Sequence, residues 1–134
     1  MNEPETTHDF NDGKGPVAAH RHSYGGGWVA DTASVAPTAY VGPDATVRGY
    51  AIVIDHAIMS DQSSASGNAI VSGHSSLRDN ALVSDNALVS DHGTVSGNGI
   101  VNRHGIVSGH AIVSGNGIVS GHTLVIGDDV VGAT

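Results

Sequence analysis

Between Asn80 and His92 the chain reads NALVSDNALVSDH, and the six-residue period visible there runs through most of the sequence. Val83 and Val89 set in register and stepped by six in both directions meet Val29, Val35, Val41, Val47, Val53, Met59, Ala65, Val71, Leu77, Val83, Val89, Val95, Val101, Val107, Val113, Val119, Val125 and Val131. These are eighteen consecutive hexads without one inserted or deleted residue. Two positions earlier in each hexad stands a small residue, as at Ala33, Ala51, Ala69, Ala81, Gly99, Ala111 and Gly117, and Asp129 is the awkward fit.

Residues two apart share one face of an extended strand, so every hexad offers an aliphatic and a small side chain to the same interior. The turn that follows reads Asp-Gln, Gly-Asn, Gly-His, Asp-Asn or Asp-His, types that tolerate positive φ or bond their own backbone. A two-residue corner every six residues forbids a long strand. The chain must bend at each hexad, and a coil that stacks on itself lets the strands of one turn pair with those above and below.

With its branched aliphatic, small residue and turn, V-S-G-N-A-I resembles the hexapeptide-repeat proteins that form left-handed parallel β-helices. The resemblance covers residues 29–134, and it implies three hexads per triangular coil and the left hand, which the general rule for parallel crossovers does not. The expected fold is therefore all-β: a left-handed parallel β-helix of about six triangular coils, roughly 29 Å tall at about 4.8 Å per coil. Residues 1–27 precede it as an extended anchoring arm, and residues 28–134 form the helix. The arm has no consistent period and ends in Gly25, Gly26 and Gly27, which are expected to act as a swivel, so its order is expected to come from a partner surface.

The chain's 39% hydrophobic content suits a narrow valine and alanine core. With one Trp and one Phe, no aromatic cluster is available to line a ligand pocket. A formal charge of −8 with five Lys plus Arg argues against nucleic acid or an anionic membrane as partner. Cysteine is absent, so disulfides are excluded. Neither a signal peptide nor an apolar run of spanning length is expected.

Seen by column in the eighteen-residue period, the outward neighbours on the first face are Ile52, Ile70, Leu88, Ile106 and Leu124, an unbroken aliphatic ladder. The third face becomes apolar in its later coils, with Leu82, Ile100 and Ile118. The second is mixed. The two most apolar faces flank the corner that carries Tyr50, Asn68, Asn86, His104 and His122, so a homotrimer with that corner toward its threefold axis would bury both. Eight aliphatic side chains per subunit represent a gross gain of about 10–20 kcal/mol before association costs.

Nine histidines invite a metal reading. His56, His74, His92 and His110 recur every eighteen residues and are expected to stack one per coil, a straight ladder whose ring nitrogens diverge from ligand geometry. The reading preferred is that His shares a turn slot with Asn and Asp because that slot accepts left-handed conformations. Amide bonds between coils are expected where Asn80, Asn98 and Asn116 take the slot. His104 and His122 beside Arg103 are the exception to watch, since the trimer brings three copies of each toward the axis.

Two enzyme classes share the fold. The stretch VADTASVAPTAYVGPDATVRGY is similar to the start of γ-class carbonic anhydrases, but Tyr50 stands where that family has Asp, and His104 and His110 do not reproduce its paired metal histidines. Hexapeptide acyltransferases have a long loop bearing a catalytic His, and no loop interrupts these coils. The chain is accordingly read as non-catalytic, with no catalytic residue, no cofactor and no metal. The expected role is a structural homotrimer on a virion surface, a capsid decoration or phage tail-tip protein docked through residues 1–27. A trimeric enzyme and a carbohydrate-binding adhesin are the alternatives.

Overall fold

The computed structural model describes residues 7–10 and 15–132. They contain no helix and build a parallel β-solenoid of about six coils. Each hexad from Ser34 on contributes one two-residue strand, and the solenoid strands pair in parallel with the strands eighteen residues away. On the first face Ile52 lies opposite Ile70, Ile70 opposite Leu88, Leu88 opposite Ile106 and Ile106 opposite Leu124. The other two faces keep the same register, with Ser76 opposite Thr94 and Leu82 opposite Ile100.

Alternation explains the core. In each two-residue strand the second side chain points inward, so the six-residue series predicted from sequence is buried from Val41 through Val125, with Val29 above it. Val35 and Val131, in the outermost coils, are only partly covered. The small slot is buried beside the series from Ala39 to Gly117. Asp129, the awkward residue, escapes the problem by being exposed in the last coil. Serine enters the small slot twice, and both hydroxyls are satisfied locally: Ser63 Oγ donates to the Ser60 carbonyl and Ser75 Oγ to the Ser72 carbonyl, each at 2.8 Å. Both are fully buried, and each would be a costly orphan without that bond.

At each corner the residue after the inward aliphatic accepts from the small residue three positions on, as Ser90 does from the Gly93 N–H and Ser96 from the Gly99 N–H, both at 3.0 Å. From Gly49 on, positive φ belongs to the first of the two turn residues alone, the sign pattern of a type II′ turn. This corrects the sequence reading. Asp55, Asp91, Gly73 and Gly109 are left-handed, whereas His56, His92, His74 and His110 in the second slot are not. Aspartate earns the first slot by a bond that reaches across coils: Oδ2 of Asp55, Asp61, Asp79, Asp85 and Asp91 accepts the backbone N–H of the residue eighteen positions later, at 2.9–3.2 Å.

Ahead of the solenoid, β1 (Thr7–Asp9) pairs antiparallel with β2 (Pro16–Arg21), and β2 pairs antiparallel with β3 (Trp28–Ala30), the first strand of the third face. The third-face sheet thereby reaches eight strands. Ala19 is buried, and so is His22, whose Nε2 lies 2.8 Å from the Ala39 carbonyl. The Arg21 guanidinium sits 4.5 Å over the Trp28 ring, and the His8 ring stacks on the same indole at 4.5 Å. The glycine run is not a swivel. His22 N–H donates to the Gly27 carbonyl at 2.8 Å and Gly27 N–H to the Val41 carbonyl at 2.9 Å. A Cβ on Gly25 would collide with the Val41 carbonyl and one on Gly27 with the Gly42 carbonyl, so close approach of backbone to the first coil is what requires glycine. Residues 16–27 are thus held against the chain's own first coil.

Candidate functional site

The solenoid presents three faces and three corners, each with its own chemistry. On the first face Ile52, Ile70, Leu88 and Ile106 are half-buried, because in-register neighbours one coil apart cover one another's flanks, and Leu124 at the end is 54% exposed. Leu82 and Ile100 on the third face are likewise half-buried, and Ile118 is 58% exposed. The apolar surface is therefore two ladders, one on the first face and one on the third, that become more open toward the last coil. Ile126 adds to the first of them at 45% exposure, in the column that reads Ile54, Ser72, Ser90 and Ser108 in preceding coils. Sequence reasoning passed over Ile126 because it lies outside the strands.

Between these two faces runs the corner of Tyr50, Asn68, Asn86, His104 and His122, all exposed. Four coils of it line an open groove of about 520 Å³, bounded by Gly67, Asn68, Asp85, Asn86, Arg103, His104, Gly121 and His122. The His104 and His122 rings stack with centroids 4.7 Å apart and 1° between planes. Arg103 holds the left-handed turn slot at φ 55°, and its N–H is accepted by Asp85 Oδ2 at 3.1 Å. Sequence reasoning noted Arg103 as a neighbour of the histidines but missed its unusual backbone position. The signal was legible in principle: from Gly49 to Gly127 arginine alone interrupts a slot otherwise held by Gly or Asp.

The second corner carries the His56, His74, His92 and His110 ladder, with successive centroids 5.2, 5.3 and 4.8 Å apart and planes within 9° of parallel. Parallel rings at that separation do not converge their nitrogens on a common point. Among the described residues no three His, Asp or Glu side chains are grouped to hold a metal ion. The third corner is an amide ladder, in which Asn80 Nδ2 donates to Asn98 Oδ1 and Asn98 Nδ2 to Asn116 Oδ1, each at 3.3 Å. Both ladders arise because an eighteen-residue coil places identical slots directly above one another.

Fold and surface together define a β-solenoid protein with an eighteen-residue coil, built from six-residue units and carrying an unbroken aliphatic ladder on its first face. The chain matches no family model, and no curated protein or solved structure is significantly similar to it.

Proposed function

We propose that the protein is a non-catalytic structural homotrimer of the left-handed, hexapeptide-repeat β-helix type. The observation that supports it is the in-register aliphatic ladder Ile52, Ile70, Leu88, Ile106 and Leu124, continued around the corner by Leu82, Ile100 and Ile118. The second face interrupts its aliphatics Ile58, Ile112 and Val130 with Ser76 and Thr94, whereas the first face keeps an aliphatic in five successive coils, and a ladder this long is the mark of an interface. Because the side chains already shield one another, their further burial contributes less than the full transfer energy, and it is the number of rungs that makes the association stable. A threefold arrangement with the Tyr50 to His122 corner inward covers both apolar faces at once. The trimer is a rod component of a virion, a capsid decoration or tail-tip protein, docked through its N-terminal segment within residues 1–27 while the prism projects.

Multi-angle light scattering tests the first part, with an expected mass three times that of the 13.5 kDa chain. A monomer at micromolar concentration would overturn it. Co-sedimentation with particles from the native source tests the second part, and a protein found only free in solution would sink the virion assignment.

A further inference from the structure

We infer that the corner carrying Arg103, His104 and His122 is an oxyanion-binding site. Arg103 is the one described non-glycine residue other than aspartate with left-handed φ. Each aspartate in that conformation is compensated by a carboxylate bond to the next coil, and each glycine has no Cβ to strain. Arginine has neither advantage, and it offers no carboxylate to the Gly121 N–H one coil on. Local strain maintained without a structural return is a mark of a functional position. The Arg103 side chain is exposed, and among the described residues no hydrogen bond, ion pair or ring contact engages its guanidinium.

The surroundings select the ligand. The guanidinium fork matches a carboxylate, phosphate or sulfate in a bidentate manner, and a neutral imidazole on each of His104 and His122 can donate one further N–H. Gly121, one coil on from Arg103, lines the groove without a side chain. A cation is disfavoured, because the arginine charge would stand beside any metal held by the two imidazoles. Asp85, the acid lining the groove, already directs Oδ2 to the Arg103 N–H. Asn86 and Asn68 extend the same row with amides, so the oxyanion can be free or be borne on an acidic saccharide lying along the corner. The site is complete on one chain; in the trimer proposed above, three copies would face the axis.

The test is an NMR titration that follows the ring resonances of His104 and His122, first with inorganic phosphate and then with an oligogalacturonate. Saturable shifts are expected in the unmodified protein, lost in Arg103→Gly and weakened about tenfold in Arg103→Lys, which keeps charge but not the fork. Arg103→Gly should melt no lower than the parent, since glycine relieves the backbone. Asn86→Ala should weaken the saccharide alone if the anion is saccharide-borne and leave both probes unchanged if it is free. Absence of saturable shifts with both probes, equal shifts in Arg103→Gly, or a lowered melting temperature in that variant would each overturn the site. Light scattering on the same samples separates the two readings: a monomer that binds sinks the trimer alone, and a trimer that does not bind sinks the site alone.

Discussion

Asp79 and Gly97, one coil apart on the same corner, are joined by a bond from the Gly97 N–H to Asp79 Oδ2 at 2.9 Å, while Asp79 itself is left-handed at φ 58°. The same carboxylate device continues upward, since Asp61 Oδ2 accepts the Asp79 N–H at 3.1 Å. Left-handed backbone costs a Cβ-bearing residue about 1–2 kcal/mol, and a hydrogen bond returns about 0.5–1.5 kcal/mol. The two nearly cancel, which is why both Asp and Gly are accommodated in this slot.

That balance predicts an order of stability. Asp79→Ala keeps the strain and loses the bond, and should destabilise the fold by about 1–2 kcal/mol. Asp79→Gly loses both and should stay within about 1 kcal/mol of the parent. Urea titrations of the two variants check this, and an alanine variant as stable as the glycine variant would show that the intercoil bond contributes nothing.

Leu88 stands at the middle of the aliphatic ladder, between Ile70 and Ile106. Leu88→Asp should place an unpaired charge in the proposed interface and dissociate the trimer, at a cost of about 3–5 kcal/mol if the carboxylate were forced to stay buried. Sedimentation velocity reads the change. A variant that sediments like the parent would remove the first face from the interface.

Ala65 is the smallest member of the inward series, and Met59, preceding it by one hexad in the same coil, is among the largest; both are fully buried. This coil should therefore be volume-compensated rather than hollow. Ala65→Val is expected to overpack it and destabilise by about 1–3 kcal/mol, and adding Met59→Val should recover most of the loss. Thermal melting of the single and double variants decides the matter: a stabilised single variant would reveal a void at Ala65 instead.

The N-terminal segment divides at β2. Deleting residues 1–24 removes the β2–β3 pairing, buried Ala19 and the His22 contact to the Ala39 carbonyl, and should destabilise the solenoid by about 2–4 kcal/mol. Deleting residues 1–14 leaves β2 in place and should shift melting by only a few degrees. The shorter deletion is thus the one that isolates attachment from folding, and a strongly destabilised 1–14 deletion would show that the leading residues belong to the fold as well.

By itself the sequence determined everything that repeats. A six-residue period with one inward aliphatic and one small slot specifies strand, corner, core and register together, because each hexad meets an identical neighbour eighteen residues away and a slipped register would turn the valines outward. The stacked His and Asn ladders and the aliphatic strip follow from the same arithmetic, so the groove residues from Asn68 to His122 were legible as a row before any coordinates. What lies outside the repeat was decided only by tertiary structure. The pairing of Pro16–Arg21 with Trp28–Ala30 has no second copy to set its register, and a six-residue segment between turn-forming stretches carries too little pattern to distinguish a docked strand from a free arm. Which of the two corner residues is left-handed was equally hidden, since Asp, Asn and Gly suit either slot by propensity. The bond from each aspartate to the coil beyond it settles that choice, and such a bond exists only after the coils have stacked.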